Sequence, residues 1–258
     1  MMKTITTRQL VNIAITLGVI VVNVLANALP LNGLNTGEIS DRFDIYFVPA
    51  GYVFSIWGLL YLGLLAFTVY QALPSQRDNV NVARIGYLYA LSGVANIVWI
   101  FFWHYEVFAL TLLPMLTILG SLIAMYLRLN IGREAVSAWD RWLIHVPFSI
   151  YMGWISVATV ANATQLLYYL NWGGWGIAAE VWAVIMLIIA ASLALINNLT
   201  RKDVAYSLVF VWAYIGIAVK HAGTPAVMLP AAILAAVIAL MLVARKPVLQ
   251  LAKVPARA

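Results

Sequence analysis

The 258-residue chain has no cysteine, only three histidines and only 9% charged residues. Without cysteine there is no disulfide, no thiolate zinc site, no iron–sulfur cluster and no palmitoyl anchor. Soluble domains carry about 25% charged and about 45–50% apolar residues. Here 64% are hydrophobic and the mean hydropathy is +0.95. Too few polar side chains remain to cover a globule, which excludes a soluble enzyme, a disordered chain and a nucleic-acid-binding module. Enzymatic signatures are missing as well: there is no nucleophile–base constellation in motif context, no glycine-rich phosphate loop and no helix with paired metal ligands. What is present is a polytopic membrane protein whose first partner is the lipid bilayer.

A spanning helix needs about 20 mostly apolar residues. The sequence offers eight such stretches, at 9–29, 47–71, 82–103, 107–129, 143–170, 177–197, 204–220 and 224–244. Pro30 closes the first, Pro74 follows the second, residues 171–176 divide the fifth from the sixth, and only residues 221–223 part the last two. Eight spans put both termini on one side. With the N-terminus inside, the inner face holds Lys3, Arg8, Arg77, Arg84, Arg128, Arg133, Arg141, Arg201, Lys202, Arg245, Lys246, Lys253 and Arg257, and only Arg42 and Lys220 stay outside. That distribution follows the positive-inside rule and predicts an all-α, eight-helix transmembrane bundle, N-in and C-in. Lys3, Arg8 and the triplet Ala26-Asn27-Ala28 resemble a cleavable leader. The long apolar run, with Asn23 and Asn27 one turn apart, argues instead for a retained packing helix.

The ten tryptophans divide by depth, with Trp103 and Trp182 nearer the outer ends of their spans. Trp139, Trp142, Trp172 and Trp175 fall where an interfacial aromatic belt is expected. Trp57, Trp99, Trp154 and Trp212 fall inside spans, where an indole N–H wants a partner and its faces suit helix contacts or a flat apolar ligand. Pro114, Pro147 and Pro230 are expected to bend their helices. Ala231, Ala235 and Ala239 would let the last helix approach a neighbour closely. At the outer edge stand His104, Glu106, Glu180, Lys220 and His221. They match no metal motif and are expected to snorkel into the interface, while His145 is read as a packing or headgroup contact.

Three motifs, in order, carry a family resemblance. The segment from Val48 through Pro49, Tyr52, Phe54 and Trp57 to Tyr61, then Asn96, Trp99, Phe101 and Phe102, then Tyr151, Trp154, Ala158, Thr159 and Asn162 resemble helices two, three and five of the TspO/MBR family, the translocator or tryptophan-rich sensory proteins. The resemblance covers residues 10–172. It departs at the proline pair before helix two, reduced to Pro49, and at the helix-five proline, displaced to Pro147 with Ile150 in its place. It implies a five-helix domain over 1–172, extended by three helices and a basic tail over 173–258, in a bacterial cytoplasmic membrane.

The resemblance also implies a pocket beneath the long first loop. The positions carried over to it are Tyr52, Phe54, Trp57, Tyr61, Asn96, Trp99, Tyr151, Trp154, Thr159 and Asn162. Its implied ligand is flat and hydrophobic, a tetrapyrrole such as haem or protoporphyrin, with no resident cofactor required, and a homodimer is among the implied partners. Tetrapyrrole propionates are anionic and the outer face is acidic, so Arg42 and Lys220 are the two cations available to pair with them. The readings that follow are a sensor or carrier, then a secondary transporter, then a light-dependent porphyrin-degrading activity. Asn96 and Asn162 could equally serve only to bond across helices.

Overall fold

The computed structural model describes residues 5–29 and 31–244. Lys3, Pro30, Arg245, Lys246, Lys253 and Arg257, which entered the topology argument above, lie outside the described residues. Eight long helices dominate the described chain: α1 (Thr7–Ala28), α2 (Ile56–Ala72), α3 (Leu88–His104), α4 (Phe108–Arg128), α5 (Val146–Tyr169), α6 (Ala179–Arg201), α7 (Val204–Lys220) and α8 (Pro225–Val243). The segments Thr7–Ala28, Gly51–Ala72, Phe108–Arg128, Ala138–Tyr169, Ala179–Arg201 and Pro225–Val243 are long and apolar enough to cross a bilayer. The 17-residue helices α3 and α7 sit at the short end of the roughly 17–25 residues a span needs. Large apolar side chains such as Leu62, Leu113 and Leu240 point outward from the bundle, as a chain solvated by lipid requires.

Two expected spans are corrected. The third, drawn over 82–103, does not run unbroken: a short helix, Val80–Ile85, stops at Gly86 and α3 starts at Leu88. Gly86 holds φ +59°, ψ −138°, a conformation a side chain would oppose. The second, drawn over 47–71, enters through a tight 3-10 turn at Gly51–Ser55. In the fifth, Pro147 is accommodated by a wide turn over Arg141–His145, where Val146 N–H reaches back five residues to Arg141 O. Proline removes a donor and crowds the carbonyl four residues back, and an extra residue in the turn relieves both. Pro114 and Pro230 lie inside continuous helices.

Helices α1, α2, α5, α4 and α3 pack in a ring, and α7 joins α6 and α8 to α5. Cross-helix polar bonds pin this ring at its inner half. Thr16 Oγ1 lies 2.7 Å from Thr68 Oγ1 and 2.6 Å from Tyr89 Oη, and Tyr70 Oη donates to Asp140 at 3.0 Å. Glycines permit the closest helix contacts. A Cβ on Gly63 would lie 3.2 Å from Pro147, bringing α2 onto α5, and one on Gly153 would lie 3.0 Å from Tyr206 O, bringing α7 onto α5. At the outer end a Cβ on Gly216 would fall 2.1 Å from Val53 Cγ2. There α7 also touches the Gly51–Ser55 turn through Ala50 N to Gly216 O, 3.0 Å, and Trp212 Nε1 to Val53 O, 3.1 Å. Thus α2 and α7 both lean on α5, and α7 meets the entry turn of α2 near the outer face.

Candidate functional site

The first loop folds over the outer end of the five-helix ring as a lid. Its short helix, Thr36–Asp41, is started by a reciprocal cap: Glu38 N donates to Asn35 Oδ1 at 2.9 Å and Asn35 N to Glu38 Oε2 at 2.7 Å. Such a cap satisfies helix N–H groups that would otherwise go unpaired. Ile39, Phe43, Ile45 and Val48 bury a small apolar core of the lid against Trp103 and Phe108. Phe43 meets Phe108 edge-on at 5.0 Å and stacks on Trp103 at 6.0 Å. Burying one Ile or Phe side chain contributes about 1.5–3 kcal/mol, so this cluster dominates lid closure.

Polar contacts fix where the lid lands. His104 is fully buried, not snorkelling as expected. Its Nδ1 lies 3.2 Å from Leu31 O and its Nε2 3.0 Å from Thr36 Oγ1. Trp103 Nε1 donates to Thr36 O at 3.2 Å and Gln165 Nε2 to Ser40 Oγ at 3.3 Å. The other outer-edge groups form latches on the lid rim: Arg42 pairs with Glu106, Lys220 with Asp41 at 3.0 Å, and Tyr46 Oη donates to Glu180 at 3.0 Å. The hydrogen bond that Arg42 donates to Glu106, and then the charge of Glu106, raise the Arg42 pKa, and the bond to Glu180 raises that of Tyr46. Burial, followed by neighbouring Lys220, lowers the pKa of His221, whose ring lies 5.3 Å from Tyr46.

Under the lid is a chamber of about 60 Å³ walled by Trp57, Trp99, Trp103 and Trp154, with Asn96 and Asn162 at its edge. Phe54 lines it too. Trp99 and Trp103 stack at 5.2 Å and 15°, while Trp57 meets Trp154 edge-on at 6.2 Å. Two of the four indole N–H groups around it are satisfied by the fold: Trp99 donates to Asn162 Oδ1 at 3.2 Å and Trp103 to the lid. Asn162 in turn donates to Thr111 Oγ1 at 2.9 Å, and Asn23 donates to Asn96 Oδ1 at 2.8 Å. Trp154 Nε1 is different, being buried with no hydrogen-bond partner. A lost donor of this kind costs about 1–3 kcal/mol, so it marks a place where an acceptor is wanted.

The motif residues therefore fall in two shells. Phe54, Trp57, Asn96, Trp99, Trp154 and Asn162 line the chamber. Tyr61 stacks behind Trp57 at 5.6 Å, and Tyr151 packs edge-on to it at 6.4 Å. Thr159 donates to its own helix at Ile155 O, and Tyr52 sits half-exposed against Trp212. Arg42 and Lys220 stand on the lid rim in ion pairs. Among the lining residues the motifs did not name are Thr36, Ser40, Trp103, Met115 and Gln165. Two carried a signal, because Trp103 is one turn beyond Trp99 and Gln165 one turn beyond Asn162. Among the described residues, no group of three or more His, Asp or Glu side chains could hold a metal ion.

No curated protein and no solved structure matches this chain. A profile of the TSPO-like protein family matches residues 9–244, through the last three helices as well as the first five. With a lidded aromatic chamber inside an all-helical, multi-pass bundle, the chain belongs to the TSPO-like protein family, membrane proteins of the sensory, ligand-binding or translocator type.

Proposed function

We propose that the chamber binds a flat hydrophobic small molecule carrying a hydrogen-bond acceptor, with a tetrapyrrole as the ligand class, and that the protein acts as a sensor or carrier for it. The observation that carries this reading is the unpartnered Trp154 Nε1 in a chamber walled by four tryptophans. Indole faces suit a flat ring system, and the unpartnered Trp154 donor would orient it.

The closed chamber is too small for such a ligand. Small-molecule pockets run from about 300 Å³ upward, several times the 60 Å³ under the lid, so binding requires the lid to move. The latches suggest how. Ligand carboxylates could take Arg42 from Glu106 and Lys220 from Asp41, exchanging one carboxylate for another while the lid swings outward. The ring would then replace Ile39 and Phe43 against Trp103.

The test is a titration of the purified protein in detergent with protoporphyrin IX and with haem, reading the Soret band beside tryptophan quenching. Saturable binding that weakens about tenfold in Trp154→Phe, the size of one lost hydrogen bond, supports the proposal. A signal that never saturates, matches empty micelles and ignores Trp57→Phe and Trp154→Phe overturns it.

A further inference from the structure

Below the outer contact between α2 and α7, the two helices part and leave a second, much larger opening. It is a cleft of about 1000 Å³ floored by α5 and flanked by both, with its mouth at the inner loops. It lies on the opposite face from the lid and shares none of the chamber's lining residues. Its upper part is apolar and open sideways to the bilayer: Leu59 and Leu208 are each about half exposed, and Trp212 closes the outer end.

The mouth is charged and built rather than incidental. Gly132, at φ +78°, presses so close to the end of α6 that a Cβ there would fall 2.0 Å from Arg201 O, and Arg201 donates to Ile131 O at 3.1 Å. This lock holds the turns of Arg133 and Lys202, the latter in a left-handed cap at φ +56°, at the mouth that Arg141 also lines. The acidic groups of the mouth are already engaged. Glu134 pairs with Arg84 at 2.8 Å, and Asp203 accepts from Tyr126 Oη at 2.8 Å and from Tyr206 N at 3.2 Å. Among the described residues, Arg133, Arg141 and Lys202 have no carboxylate within 4 Å. Between the cations and the apolar part lies His145, only 6% exposed, whose Nε2 is buried without a hydrogen-bond partner.

We infer that this cleft is a specific site for one anionic phospholipid of the inner leaflet. The lipid phosphate would sit among Arg133, Arg141 and Lys202, the glycerol backbone would reach His145, and one acyl chain would lie along Leu59 and Leu208 to Trp212. Charge sets the sign of the headgroup, the lateral opening admits a molecule already in the bilayer, and the apolar upper part excludes a free anion as the whole ligand. Basic pockets between helices on the cytoplasmic side are physically suited to anionic headgroups.

The full chain in detergent is titrated with phosphatidylglycerol and, separately, with phosphatidylcholine. Native mass spectrometry counts retained lipids, and chain-brominated phosphatidylglycerol quenches tryptophan. Saturation at one phosphatidylglycerol is expected, with quenching that shrinks in Trp212→Phe. The triple variant Arg133→Gln/Arg141→Gln/Lys202→Gln should bind on the order of a hundredfold more weakly, whereas Arg77→Gln/Arg128→Gln, which lowers inner-face charge elsewhere, should bind as the parent does. Leu208→Trp leaves the charges in place and fills the acyl track, so it separates lost binding from lost folding and should also expel the lipid. Equal loss in both charge variants, equal affinity for phosphatidylcholine, full binding in Leu208→Trp, or glycerol phosphate alone binding as tightly would each overturn the assignment.

Discussion

At its outer end this bundle closes over a chamber of about 60 Å³, and at its inner end it opens into a cleft of about 1000 Å³. Both are lined by α2 and α5. The difference comes from what meets above each. Outside, the lid supplies an apolar cluster, and Gly216 lets α7 touch the Gly51–Ser55 turn without a gap. Inside, the charged turns at 131–136 and 200–203 line the space without filling it. One helix face therefore supports a dry aromatic site at one depth and a wet-mouthed, amphipathic one at another. In a membrane protein, local closure depends on loops and glycine contacts more than on the helices that carry the motif residues.

The largest effect should come from the lid core. Phe43→Ala removes a ring packed on Trp103 and Phe108, and such truncations cost about 3–5 kcal/mol. Acrylamide quenching of the chamber tryptophans should rise sharply, while lipid retention at the inner cleft stays unchanged. Equal disturbance of both regions would mean that they are one cooperative unit. Trp154→Phe sharpens the contrast by acting in opposite directions. Thermal stability without ligand should be unchanged or slightly raised, because an unpaired donor is gone, while porphyrin affinity falls about tenfold.

Smaller changes are expected at the latches. Arg42→Gln or Asp41→Asn breaks an exposed ion pair, and lid opening, followed by hydrogen exchange, should change by less than about threefold. The smallest effect is that of pH at His221. The closed fold resists charging this ring, so the open or unfolded chain takes up the proton first. Its contribution to closure is complete above the ordinary value of 6.5 and is lost as pH falls through the lowered value of the closed state. Quenching at the chamber should therefore grow on acidification from about pH 8 to about pH 5, with a shallower slope in His221→Gln.

Much of the architecture is legible in the sequence because lipid imposes a length and a charge asymmetry that composition reveals directly. Trp57, Trp99, Trp154 and Asn162 could be placed on their helices by hydropathy, and beside a pocket only through the family resemblance that their motifs carry. His104 could not be read correctly. A histidine at a helix end looks interfacial until a lid is known to cover it, and its partners Leu31 and Thr36 are about 70 residues away in the chain. The break at Gly86 escaped because glycine is common in apolar helices and only its backbone angle identifies the corner. The inner cleft was illegible for a different reason. Core-facing and lipid-facing positions are equally apolar here, so no periodicity reveals which helices part.

The wide turn at Arg141–His145 sets a counting rule for this helix. One residue added to a regular helix advances everything beyond it by about 100°, and the wide turn takes up one such residue without that rotation. Arg141 and Trp142 are thus phased from a different origin than Tyr151, Trp154 and Asn162, although the chain reads as one uninterrupted span. Deleting a single residue within the turn would restore an ordinary helical turn and leave the two ends facing as they do, whereas a deletion beyond it would rotate one end against the other by about 100°. For this helix the place of an insertion or deletion decides its effect, and spacings counted across the wide turn mislead by one position.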